Sequence, residues 1–226
     1  MSIQTYHGMD FEHIATIAGL DVGAGSIGGA VAGLPEPLLY YSFDSFGASL
    51  ADEMGLLDIE TIADLKTATG FEGAGIEADT VPGSCRVATN ATFRNFTNTL
   101  VSFWVYSTSG NTFGIRFYNT AGDLQLNTVG AIVSTGSWHH VLVSFPGSGA
   151  PVAYVSVDGG SRSEQFATET VQWSCPGLFI STGVVIDELA ILYLAEEPTA
   201  SQVQQYAVSL YNGGAGTTYR TATGWV

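Results

Sequence analysis

The chain has 226 residues, of which 46% are hydrophobic and 12% charged. That excludes a disordered solvating segment and suffices for one substantial core. The formal net charge is −15, with six basic residues, among which Lys66 is the single lysine. Such a field repels nucleic-acid phosphates and anionic membrane surfaces, so neither is an expected partner.

Taken in order, residues 1–37 read as a glycine-rich extended arm with no core of its own. The opening MSIQTYHGMDFEH lacks Lys and Arg, so a cationic secretory start is not expected. The following IATIAGLDVGAGSIGGAVAGL is apolar, but Asp21 and its repeated glycines argue against a membrane span. Pro35 and Pro37 then form a stiff break before the first strand, LLYYSFD at 38–44. Asp58 is placed to cap a short helix in which Ile59, Ile62 and Leu65 recur at helical spacing.

The clearest strand signals lie between residues 100 and 193. In LVSFWVY at 100–106, Val101, Phe103 and Val105 share one face, while Leu100, Trp104 and Tyr106 share the other. Both faces are therefore expected to be covered. The segments FGIRF at 113–117 and LQL at 124–126 flank NTAGD and read as a hairpin. Val141, Val143 and Phe145 alternate with polar or outward positions, and VAYVSVDGG at 152–160 alternates again before a glycine turn. Residues 199–202 fit a capping box. After it, Val203, Tyr206, Ala207 and Leu210 form an apolar stripe that Gly213 and Gly214 stop. Residues 213–226 read as a loose tail. Short alternating runs between turn residues predict an all-β sandwich.

The segments LLYYSFD, VSFWV, SWHHV, YVSVDG and IDEL occur in the order that resembles laminin-G-like, or concanavalin A-like, jelly rolls. The resemblance covers roughly residues 38–212 and implies a two-sheet antiparallel jelly-roll sandwich ending in a short helix. It does not imply one function, because this architecture serves lectins, adhesion modules, glucanases and structural parts alike.

Chemistry on such a scaffold has few candidates here. The Glu-x-Asp-x-x-Glu pattern of its glucanases is absent, and Asp187 and Glu188 are adjacent, facing opposite ways on a regular strand. His139 and His140 face opposite ways for the same reason and read as structural. No Ser/His/Asp arrangement has supporting spacing. The resemblance places Asp44 and Asp187 where related sandwiches hold a calcium ion. A turn residue and a rim charge are the alternative, and no metal or other cofactor is assigned. Cys85 and Cys175 could close a long loop, but two buried thiols are the reading adopted. For glycan binding the candidates are Arg116, Tyr118, Tyr154 and Trp173, the first three because parity sets them opposite the apolar inner set.

These features point to a non-catalytic virion structural protein, a bacteriophage capsid decoration or another outward-facing component. Residues 1–34 would attach it to other virion proteins, it would be a homo-oligomer, and the sandwich could bind a host or environmental glycan. The alternatives are a carbohydrate-binding or adhesion module of a bacterial surface protein and, third, a glycoside hydrolase.

Overall fold

A computed structural model describes residues 34–45, 50–56, 58–87, 98–108, 113–118, 124–129, 133–145, 152–161, 163–166, 175–220 and 224–226. Residues 1–33 of the expected arm, and Trp173, lie outside them. The described chain forms a two-sheet antiparallel β-sandwich with one C-terminal helix, as the strand alternation predicts.

The larger sheet runs β11 (Ser163–Phe166), β10 (Val152–Val157), β9 (Trp138–Phe145), β6 (Thr99–Ser107), β13 (Val184–Tyr193), β4 (Ala74–Ala78) and β3 (Leu65–Thr69), with β1 (Leu39–Tyr41) also paired to β13. The smaller sheet runs β2 (Ile59–Ala63), β5 (Gly83–Val87), β12 (Cys175–Ile180), β7 (Phe113–Tyr118) and β8 (Leu124–Val129). Val101, Phe103, Val105, Val141 and Val143 pack into the core between the sheets, where Cys85 is also buried. Each large apolar side chain buried there contributes about 1.5–3 kcal/mol.

The opposite face of the larger sheet is buried too. Tyr40, Leu100, Leu142, Ala190 and Leu192 meet Val203, Ala207 and Leu210 of helix α1 (Ala200–Tyr211). Local sequence fixes both helix ends. The Thr199 hydroxyl accepts from the Gln202 amide while the Gln202 side chain accepts from the Thr199 amide, and Asn212 ends the helix in the left-handed region at φ 48°.

Two expectations are corrected. The helix expected after Asp58 is instead two successive strands, β2 in the smaller sheet and β3 in the larger, with the chain crossing between them at Asp64, φ 55°. Ile59 and Ile62 still reach the core, but as parts of a strand paired to β5, with β-branched Thr61 between them. The tail is not loose either. Strands β14 (Tyr219–Arg220) and β15 (Gly224–Trp225) form a hairpin whose Tyr219 packs edge-on to Tyr40 and Trp225, each at 5.5 Å between ring centroids. Trp225 Nε1 donates to the Pro35 carbonyl at 3.0 Å, and the Tyr219 hydroxyl donates to Glu36 at 2.8 Å. The C-terminal hairpin thus grips residues 35–36. Among the described residues, no helix is long and apolar enough to cross a membrane.

Candidate functional site

Strand β13 pairs with β6 along one edge, whereas its other edge serves β4 at residues 185–186 and β1 at residues 189–191. The changeover coincides with a bulge between Asp187 and Ala190, where Glu188 takes φ 53°. The bulge turns both carboxylates into the fold, where Asp187 is 0% and Glu188 3% exposed. Tyr40 donates its hydroxyl to Glu188. Asp187 accepts the backbone amides of Glu72 at 3.0 Å and Glu188 at 2.8 Å. Burial dominates its titration: desolvation raises the Asp187 pKa to about 7, against those amides and with some help from Asp44.

Asp44 accepts the Ala74 amide at 2.8 Å, so Asp44 and Asp187 together hold the β3–β4 turn from two sides. Gly73, at φ 77°, lets the backbone come close, since a Cβ there would collide with the Asp44 carboxylate. A calcium ion needs six to eight oxygens, and a pair of carboxylates aimed at backbone N–H groups does not fit one. Among the described residues, no three His, Cys, Asp or Glu side chains converge to hold a metal ion. These carboxylates are structural clamps.

The two histidines part as parity requires. His140 is buried beneath helix α1, with Nε2 2.9 Å from the Ser102 hydroxyl and its ring edge-on to Trp104. Its surroundings are too dry for an imidazolium, and desolvation pulls its pKa down to about 3, against a weaker attraction from Asp158. His139 lies at the other surface. Its Nδ1 meets Asp158 Oδ2 at 2.6 Å, and its Nε2 meets the hydroxyls of Ser134 at 2.8 Å and Ser137 at 2.9 Å.

This Ser–His–Asp connectivity is absent from the sequence-based expectation, because its members come from a turn, from β9 and from the end of β10. The one legible signal is the pairing of SWHHV with VDG. Its geometry is that of a fastening. Asp158 also accepts the His140 amide at 2.9 Å and donates its own amide to the His140 carbonyl at 2.9 Å. The Gly136 amide beside the serines is committed to the Ser107 carbonyl, leaving that group unable to stabilise an oxyanion. Asp158→Ala removes two hydrogen bonds to a carboxylate and the residue type that tolerates its φ of 51°. It is expected to cost about 2–4 kcal/mol in urea unfolding, whereas Asp158→Asn, which keeps one acceptor and the left-handed preference, is expected to cost less.

The glycan candidates fall on different surfaces. Tyr154 lies on β10 of the larger sheet, and its cross-strand partner is Ser144. Arg116 and Tyr118 lie on β7 of the smaller sheet, placed here by backbone register alone. Beside Tyr154 a groove of about 390 Å³ runs between the β9–β10 ladder and the start of helix α1. Ser144, Phe145, Glu197, Pro198, Thr199, Ala200 and Val203 complete it. The volume lies within the roughly 300–1,000 Å³ range of small-ligand sites. An aromatic face, a carboxylate and hydroxyls in one groove are the groups that a sugar ring engages by stacking and hydrogen bonding.

Among solved structures, the botulinum neurotoxin serotype D binding domain aligns with a TM-score of 0.51 at 11% identity, over 76% of this chain and 51% of that one. The fold is a lectin-like β-sandwich. A botulinum neurotoxin type C structure, described by its interaction with two ganglioside molecules, aligns with a TM-score of 0.51 at 12% identity, over 77% of this chain and 51% of that one. Trypanosoma rangeli sialidase in complex with sialic acid aligns with a TM-score of 0.51 at 11% identity, covering 88% of this chain and 37% of that one. The chain thus spans about half or less of the length of these neighbours. No protein-family model and no curated protein sequence matches it.

Proposed function

We propose that this chain is a non-catalytic recognition module that binds carbohydrate in the groove beside Tyr154 and is carried on a larger assembly by its N-terminal arm. The groove is the observation that carries the reading. It sets Tyr154 on a strand ladder and Glu197 in the loop leading into a capped helix, at the surface of a sandwich shared with ganglioside-linked and sialic acid-bound proteins. The non-catalytic part rests on the carboxylates, since Asp187 and Glu188 are buried and hydrogen-bonded.

A glycan array probed with the full chain tests this reading. Binding to at least one neutral or acidic saccharide is expected, with Tyr154→Ala weakening it by roughly tenfold or more, the loss of one stacking face. An array without signal, or one that Tyr154→Ala leaves unchanged, removes the groove from the function. Ser134 and Ser137 should remain unlabelled by a fluorophosphonate.

The assembly we favour is a virus particle, with the chain decorating its outer surface. Two observations support it: a glycine-rich arm of 33 residues preceding Leu34, and a C-terminal hairpin that fixes where that arm leaves the sandwich. Deleting residues 1–33 retains Leu34, which packs in the cluster under the helix. The truncated sandwich is expected to melt within a few degrees of the full chain and to fail to incorporate into particles. Unimpaired incorporation would take the arm out of attachment.

A further inference from the structure

We infer that the groove beside Tyr154 prefers a hexose bearing a protonated amine over its neutral parent and disfavours a sugar carboxylate, an inference that rests on the carbohydrate reading of that groove. The charge of the sugar follows from the groove's own side chains. Among the described residues that line it, Glu197 is the one charged group, and its neighbour Glu196 is also exposed. Pro198 confines the Glu197 backbone to extended conformations, and the Thr199–Gln202 capping box begins two residues on. The carboxylate is thus presented at the entrance to helix α1 from a constrained backbone.

Ser144 supplies the second group. It stands on β9 opposite Leu100 of β6 on one side and Tyr154 of β10 on the other, and is 3% exposed. It lines the groove, yet among the described residues its hydroxyl has no hydrogen-bond partner. Buried hydroxyls are ordinarily paired, so this one is placed to meet a ligand. It can donate to a sugar oxygen or accept from a hydroxyl or an ammonium. The Thr199 hydroxyl, by contrast, is taken up by Gln202.

No described group in the groove compensates a sugar carboxylate. Lys66, the single lysine, lies on β3, five strands from β10 across the sheet, and is paired with Glu77 and Asp79 at 3.4 Å each. A helix start favours an anion, but the amides of Thr199, Gln202 and Val203 are already committed within the chain. The net charge of −15 adds to this local preference: the field of the whole protein draws a cation toward Glu197 and repels an anion.

The test titrates the full chain, followed by NMR at mildly acidic pH, with methyl glycosides of glucose, galactose and mannose, each as the parent hexose, the 2-amino sugar and the uronate. For at least one configuration the amine should bind roughly fivefold more tightly than the parent, and the uronate more weakly than either. Added salt should shrink the difference. Glu197→Gln should bring amine and parent to within about twofold of each other. Asp79→Asn, which removes a charge from the far side of the sheet, should leave the preference intact. Ser144→Ala should weaken amine and parent alike by roughly threefold or more. An amine preference that survives Glu197→Gln, or a uronate that binds as tightly as the amine, would overturn the inference while leaving the carbohydrate reading in place. Binding by none of these sugars would remove both.

Discussion

Trp104→Ala is expected to destabilise the sandwich by about 3–5 kcal/mol, the range for truncating a large buried ring. Trp104 is 2% exposed on the helix-facing side of β6. Its indole stacks on Phe71 with centroids 3.8 Å apart and planes 3° from parallel, and Tyr211 at the end of helix α1 approaches to 6.2 Å. His140 closes the third side at 5.3 Å. Gly216, at φ 76°, lets the chain pass over this stack, because a Cβ there would press into Phe71 and Trp104. The one ring therefore joins the sheet, the β3–β4 turn and the helix end. For a chain of this length, such a loss lowers the melting temperature by on the order of 10 °C. A variant melting within about 2 °C of the parent would contradict this packing.

The second large effect is a pair of opposing pH dependences that hide one another. His140, with its folded pKa pulled from 6.5 to about 3, contributes stability that is present above pH 6.5 and lost as pH falls toward 3. Integrated over that window the contribution is about 5 kcal/mol. Asp187, with its folded pKa raised from 3.8 to about 7, acts the other way. The folded state binds the extra proton, so stability is full below the unfolded value and falls by about 4 kcal/mol as pH rises to 7. Between roughly pH 4 and 6.5 the two slopes cancel.

Urea unfolding across pH 4.5–6.5 should accordingly show little contribution from either group in the parent. Asp187→Asn should expose the His140 slope, with stability rising by roughly 1.4 kcal/mol per pH unit relative to the parent. His140→Gln should expose the reverse, a fall of similar size. Parallel profiles for parent and both variants would mean that neither group is held in the dry form its surroundings impose.

The strands that build the core were the legible part of the sequence. In β6 and β9, alternation is clean because the two faces meet different partners, and VAYVSVDGG announces β10 and its turn for the same reason. Ile59, Ile62 and Leu65 were ambiguous: spacings of three suit a helix as well as strands broken by a left-handed Asp64. The C-terminal hairpin was hidden because glycine- and threonine-rich sequence gives no periodic signal. Its order comes from Tyr219 and Trp225 finding Tyr40, Pro35 and Glu36 far away in the chain.

Of the site, Tyr154 was readable as an outward aromatic, but the groove beside it was not. Its other wall is supplied by residues 197–203, brought there by the docking of helix α1 on the sheet. The Ser134–His139–Asp158 fastening is likewise a product of register, which joins residues far apart in the sequence. The bulge at Glu188 was the point where strand parity failed, turning both carboxylates inward.

Carbohydrate recognition by the Tyr154 groove is the central claim, and a backbone-amide NMR titration of the full chain with a saccharide selected from the array addresses it most directly. The account predicts saturable shifts centred on Ser144, Tyr154, Glu197 and Thr199, absent in Tyr154→Ala. Shifts confined to other surfaces, or none at saturating saccharide, would contradict it.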